Sequence, residues 1–295
     1  MTLYHYCSNV SFISIVRSQS IWASEFSLSN DALEGKWIRK ILEECCEDRG
    51  LSWFEAIDIL RVFDNEVLSF LGAAGFCMSE DGDLLSQWRG YADDGQGVSI
   101  GFDDERLKAL GKRGTGVANA SPSLQKIEYE KDRQKAQIQG TVDHIIDLWK
   151  VGAGRTASFL NRDTEDGEKE RAKLTHDMKL ELFQLSSEIY SFKNPAFREE
   201  REWRLVSTVT PGHALSNVVG PFNHTTRELP RMDFRAMKDR VVPYMEIGFG
   251  DLAIGAITEV ITGPKNITPD RIIWAALLKY GWGNVKVRRS EASYR

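Results

Sequence analysis

The sequence predicts an α+β fold: one domain spanning residues 1–295, with a mostly helical insertion at about residues 131–192. Three observations lead there. Strand-like runs cluster in both halves of the chain, and the long stretch between them is helical in pattern. Strands and helices do not alternate strictly, which disfavours a doubly wound parallel sheet. No internal repeat or proline-rich linker marks a second domain.

The elements follow in order. Leu3 to Cys7 reads as a strand, a short helix runs through Ile13 and Val16, and Ile21 to Ser24 is a second short strand. Ser29-Asn30-Asp31 reads as a turn and helix cap, with Glu34 in the first turn of the next helix. That helix carries Trp37, Ile38, Ile41, Leu42 and Cys45 at helical spacing. A second amphipathic helix begins after Ser52, with a predicted stripe of Trp53, Ile57, Leu60, Phe63, Val67 and Phe70. Strands are expected at Gly75 to Ser79 and Gly97 to Phe102, joined by a short helix around Leu84, Leu85 and Trp88. Residues 111–122, rich in small residues and lysine, read as a loop before a strand at Gln125 to Tyr129. Further strands fit Glu202 to Val209, Tyr244 to Phe249 and Ile257 to Thr262. A helix from Pro269 to Tyr280 and a strand through Val285, Val287 and Arg289 close the chain.

With 42% hydrophobic residues, 8 Trp and 14 Phe, the chain can bury a sizeable core and is not disordered by composition. Its 38 Lys and Arg against 43 Asp and Glu argue against a broad phosphate-neutralising surface. A local basic groove stays open, and the most basic segment holds Lys286, Arg288, Arg289 and Arg295. Cys7, Cys45, Cys46 and Cys77 lack metal-ligand spacing, so free thiols in a reducing compartment and no metal are expected. The chain opens on a strand-like run without a basic n-region, and no run of about 18 apolar residues occurs. A cytoplasmic protein with no membrane partner is the expectation.

Three segments concentrate unusual residues. Along the first strand, Tyr4 and Tyr6 share one face, and Leu3, His5 and Cys7 share the other. A lone strand histidine is usually a hydrogen-bonded structural residue. In the second segment, Phe76 to Ala92, Trp88 and Tyr91 lie three apart, either flooring a pocket for a flat heteroaromatic group or serving as core. The glycines that follow, from Gly95 to Gly101, do not form a dinucleotide-binding fingerprint. In the third segment, Phe197 to Val206, a strand would place Glu200, Glu202 and Arg204 on one face and Trp203 and Leu205 on the other. Two carboxylates and a guanidinium on one edge are costly to bury without a purpose, though a solvated face reads the same way.

These segments, in this order, resemble the bacterial domain of unknown function 2971 family. The resemblance is carried by "LYHYCSNVSFISIVRSQSIWAS…LSNDALE", "FCMSEDGDLLSQWRGYADDGQGVSIGFD" and "FKNPAFREEREWRLV", and by the tail "ITEVITGPKNITPDRI…VKVRRSEASYR". It runs from Met1 to Arg295 and is weakest across residues 105–190. Through that family the chain is similar to ADP-ribosyltransferase-like folds and, distantly, to DarT-type toxins, by analogy of fold. The resemblance implies a split mixed or antiparallel sheet core and an NAD-dependent ADP-ribosyltransferase in a toxin or phage-defence setting. NAD would be a co-substrate, the acceptor a nucleic acid or a protein, and a cognate inhibitor protein a further partner. The opening is similar to that of DarT-like proteins, with Cys7 where a threonine stands in theirs.

Carried over residue by residue, the resemblance implies that His5 binds a ribose hydroxyl of NAD, with Tyr6 beside it. Ser24, Asn30 and Asp31 would shape the rim. Tyr91, or Trp88 in its place, would stack on nicotinamide. Glu202, or Glu200, would be the catalytic carboxylate, and Arg204 would orient it or meet the pyrophosphate. A carboxylate suits the oxocarbenium-like centre formed when the ribose–nicotinamide bond breaks. Hydrolysis of NAD at the same site and a non-enzymatic module that senses a nucleotide or phage component are the alternatives.

Overall fold

The computed structural model of the chain describes residues 1–26, 35–69, 71–112, 122–154, 165–209, 232–236 and 239–294. The strands are β1 (Thr2–Cys7), β2 (Ser20–Glu25), β3 (Gly72–Ser79), β4 (Val98–Asp103), β5 (Ser123–Lys126), β6 (Glu202–Val209), β7 (Asp233–Ala236), β8 (Val241–Gly248), β9 (Ile257–Thr262) and β10 (Lys286–Arg289). The helices are α1 (Asn9–Ser18), α2 (Trp37–Asp48), α3 (Trp53–Phe63), α4 (Leu85–Tyr91), α5 (Asp104–Lys112), α6 (Lys131–Lys150), α7 (Glu165–Gln184) and α8 (Asp270–Lys279). They form a mixed α/β fold around an open sheet of order β10-β9-β4-β1-β3-β2-β8-β7, with β6 also on β3 and β5 on β6. β9 and β10 run parallel, and the other named pairs are antiparallel. Among the described residues no helix is long and apolar enough to cross a membrane.

Local chemistry sets several boundaries. Ser8 caps α1 by accepting from the Ser11 amide at 3.1 Å. Ser52 and Glu55 form a reciprocal capping box at the start of α3. Trp53, directly after the cap, is 53% exposed and Ile57 is half-buried, whereas Leu60, Phe63 and Val67 of the predicted stripe are buried together with Ala56, Ile59 and Val62. The expected strand at Gln125 to Tyr129 is shifted, because β5 pairs with β6 from Ser123 to Lys126. α5 and the edge strand β7 were not anticipated, since neither carries a long apolar pattern. Phe70 and Ser29 to Asp31 lie outside the described residues.

Alternation sorts the sheet into two faces. Leu3, Cys7, Ile21, Ala23, Ala74, Phe76, Met78 and Leu205 enter one core with α1 and α8. On the opposite face, Phe26, Ala73 and Val206 join α2, α3, α6 and α7 in a second core. The predicted helical insertion thus supplies half of the layer over that face. Tyr6, Trp88 and Ile261 form a smaller cluster.

The sheet opens at β3. One edge of β3 is paired with β6 along its full length, Gly72 to Ser79. The other edge is divided: β2 pairs with Ala74 and Gly75, and β1 pairs only at Ser79. Phe76, Cys77 and Met78 face the gap between them. Gly75 sits at its lip, where a Cβ would fall 2.0 Å from the Phe26 ring. Gly75→Ala should displace that ring and cost about 1–3 kcal/mol through overpacking. Urea unfolding of the variant measures this, and an unchanged midpoint would show that the ring is not confined there.

Candidate functional site

The gap along β3 is the wall of a cavity of about 530 Å³. β1 contributes His5 and Tyr6, β2 contributes Trp22 and Ser24 with Phe26 just beyond its end, and β3 contributes Cys77. Tyr91 comes from the end of α4, Lys193 and Glu200 come from the turns leading into β6, and Glu202 is its first residue. These stretches of chain meet here because β3 borders β1, β2 and β6 at once.

His5 closes the open edge of β3. Its Nδ1–H donates to the Cys77 carbonyl at 2.8 Å, satisfying a group the divided ladder leaves unpaired. The ring stacks on Phe76 with centroids 4.0 Å apart. Burial pushes its pKa down to about 4, against the Cys77 bond, and the charge of Arg235 lowers it further. His5 is therefore a neutral imidazole at pH 7, with Nε2 left as an acceptor.

Glu202 opens β6 and is 6% exposed, with Arg204 fully buried beside it on the same face. Arg204 Nε and Nη2 donate to the two carboxylate oxygens at 2.8 and 2.9 Å. Lys193 Nζ adds a third bond at 2.9 Å, and the Cys77 thiol donates as well. Burial alone would raise the pKa of Glu202, but Arg204 and Lys193 outweigh it and hold it down to about 2. Burial likewise opposes the charge on Lys193, and Glu202 with Glu200 keeps its pKa above the ordinary lysine value. A carboxylate has about four acceptor positions, and those of Glu202 are taken.

Glu200 is placed differently from the prediction. It ends a short 3-10 turn (Pro195–Glu200) rather than sharing the strand, and Arg201, at φ 44°, turns the chain between the two acids. Ser79 Oγ pins this turn by donating to the Glu200 carbonyl at 2.7 Å, and the Glu80 amide donates to the Arg201 carbonyl. The Glu200 side chain accepts one bond per oxygen, from Tyr91 Oη at 3.2 Å and Lys193 Nζ at 2.6 Å. Two acceptor positions remain.

Of the aromatic candidates, Tyr91 lines the cavity and is 43% exposed, while Trp88 is completely buried. Three helical residues turn about 300°, so the two side chains diverge by about 60°. Trp88 Nε1 is fixed on Asp83 at 2.7 Å, with its ring edge-on to Tyr6. Tyr6 touches the cavity, but its hydroxyl is engaged by the Asp81 carbonyl and the Leu84 amide. Ser24 lines the cavity, and Asn30 and Asp31 lie outside the described residues. Arg204 lies 5.1 Å from the Phe26 ring centroid and donates to the Tyr190 carbonyl, enclosed rather than facing the cavity.

Sequence reasoning missed Lys193, Cys77, Trp22 and Arg235. Lys193 precedes Asn-Pro, with no pattern linking it to Glu202 nine residues on. The alternation along Phe76 to Met78 was the available signal for Cys77. Cys77 is exposed, whereas Cys7, Cys45 and Cys46 are buried.

Residues 87–205 match the model of a family described as "Protein of unknown function (DUF2971)". The match supports that family. It is narrower than the full-length resemblance, covering Tyr91, Lys193, Glu200, Glu202 and Arg204 but not β1, β2 or the tail. No curated protein and no solved structure matches the chain.

Two titrations at the site contribute to the acid limb of stability. Unfolded His5 binds its proton near 6.5 and the folded residue only near 4, so in that window falling pH favours unfolding. Glu202 adds a second loss from 4.5 down to about 2, because the unfolded carboxylate protonates first. His5→Gln keeps a donor for the Cys77 carbonyl and does not titrate. Its stability should fall less steeply than wild type between pH 6.5 and 4, with the lower limb retained. Parallel slopes in urea titrations across that window would contradict the placement of His5.

Proposed function

We propose that the chain is an NAD-dependent ADP-ribosyltransferase whose co-substrate lies in the gap of the sheet. One observation carries this reading: His5, Tyr91, Glu200 and Glu202, from three remote segments, converge on one cavity. The gap between β1 and β2 also supports the split-sheet core that the resemblance implies. At about 530 Å³ the cavity falls within the ~300–1,000 Å³ usual for small-molecule sites.

In this reading neutral His5 accepts a ribose hydroxyl at Nε2, and Tyr91 offers its ring to nicotinamide. Of the two carboxylates we assign the ribose contact to Glu200. Glu202 is saturated by Arg204, Lys193 and Cys77, so it adds little to a new cation; its work is to hold Lys193, which presents Glu200. The glycosidic bond breaks with its electron pair leaving on nicotinamide, and positive charge develops on the ribose. Glu200 stabilises that charge. The acceptor's lone pair then forms the new bond to the ribose carbon, and its proton passes to Glu200 or solvent. With water as acceptor the products are ADP-ribose and nicotinamide, the glycohydrolase form of the same site.

A toxin or phage-defence setting, a cytoplasmic location, a nucleic-acid or protein acceptor and a cognate inhibitor protein complete the proposal. A non-enzymatic recognition module is the second reading, favoured by one feature: two cations already neutralise the acid pair.

The test is incubation of the purified chain with NAD labelled on the adenylate, alone and with cell lysate. Products are divided into nuclease-sensitive and protease-sensitive fractions. Glu200→Gln should slow nicotinamide release by about 10²–10³-fold, the loss typical of one transition-state electrostatic contact. Glu202→Gln should lose stability as well, because it leaves buried Arg204 and Lys193 undercompensated. A wild-type rate in Glu200→Gln would move the role to Glu202. No consumption of NAD under any condition would overturn the enzyme reading and leave the recognition module.

A further inference from the structure

The cavity holds a cation that no part of the acid pair neutralises. Arg235 lies on edge strand β7 and lines the cavity beside Trp22 and Ser24. Its Nη2 donates to Ser24 Oγ at 2.7 Å, and its guanidinium lies 5.9 Å from the Trp22 ring centroid. Its Nε is buried with no partner, and it makes no ion pair among the described residues. Two acids on β7 and β8 are bonded to other groups. Asp233 accepts from Tyr244 Oη and the Phe234 amide, and Glu246 accepts from Ser20 Oγ.

The other cations differ. Lys193 is bonded to Glu200 and Glu202, and Arg204 to Glu202 and the Tyr190 carbonyl. Arg89 is exposed and lies against the Tyr294 ring. A half-buried guanidinium without a counter-charge is costly, and burial already lowers the pKa of Arg235. A second orphan adjoins it: Trp22 Nε1 is buried without an acceptor while its ring stacks on Tyr244. Among the described residues these two enclosed donors lack an acceptor, and the guanidinium that carries one of them lines the cavity.

We propose that Arg235, oriented by Ser24, is an anion subsite that takes a phosphoryl group of the cavity's ligand. Only the identity of the carrier rests on the transferase reading, in which the group is the NAD pyrophosphate. Arg235 then fills the second of the two roles that the resemblance implied for Arg204, contact with the pyrophosphate. It lies at the β2–β7 end of the cavity, apart from the Lys193–Glu200–Glu202 cluster. The planar fork of arginine suits two phosphoryl oxygens, and Ser24 fixes its plane by holding Nη2.

The test is calorimetric binding of ADP-ribose, inorganic pyrophosphate and adenosine to wild type, Arg235→Gln and Arg235→Lys. Wild type should bind ADP-ribose more tightly than adenosine, and added salt should reduce the difference. Arg235→Gln should weaken ADP-ribose and pyrophosphate by about 10–100-fold, the range for one charged hydrogen-bonding group, and leave adenosine unchanged. Arg235→Lys, which keeps the charge, should retain part of the preference even where the glutamine variant folds poorly. Equal affinity of wild type and Arg235→Gln for ADP-ribose, or no preference over adenosine in wild type, would overturn the subsite. The transferase reading fails separately: weakened ADP-ribose binding in Arg235→Gln with no NAD cleavage by wild type supports the subsite alone. NAD cleavage with unchanged affinity in Arg235→Gln leaves the transferase and removes the subsite.

Discussion

The site depends on a single hydrogen bond across an incomplete sheet. β3 gives one edge to β6 and shares the other between β1 and β2, which leaves the backbone of Phe76 to Met78 without a full ladder. A backbone carbonyl on such an edge needs a partner wherever water does not supply one. His5 supplies that partner at Cys77 with a ring rather than a strand, so the edge is closed and space is kept. The cavity exists because a side chain stands where a neighbouring strand would otherwise pair.

Charge is distributed around that space in two unlike parts. At the β6 end, Arg204 and Lys193 balance Glu202 and Glu200. Burial opposes the charge on both Glu202 and Lys193, and each keeps it only through its partners. At the β7 end, Arg235 has no such partner among the described residues. The neutral His5 sits among them, and its low pKa follows from burial in a cavity that already contains a guanidinium. In the proposed reading an anion would enter at one end and leave the balanced cluster at the other undisturbed.

Much of this was legible in the sequence, for definite reasons. The alternation of Glu202 and Arg204 against Trp203 and Leu205 is local, and the strand reproduces it, with Leu205 in one core and Val206 in the other. β1, β2 and β9 carried equally clear patterns. Glu200 was misplaced because Arg201 takes a left-handed conformation, which a run of charged residues does not announce. Trp53 was misread through helical spacing alone, and of the two readings open for Trp88 the structure takes the core one, with its indole held by Asp83. Lys193 and Arg235 reach the cavity through tertiary contacts with residues 7 to 211 positions away, which no spacing rule encodes.

The most direct test of the account is the reactivity of Cys77, whose thiol opens into the cavity while the other cysteines are buried. Alkylation with N-ethylmaleimide, followed peptide by peptide in the native chain, should modify Cys77 first. Millimolar NAD or ADP-ribose should slow that modification several-fold, since a ligand in the gap of the sheet covers the sulfur. Alkylation of Cys77 at the same rate with and without either compound would contradict a nucleotide site between β1, β2 and β3.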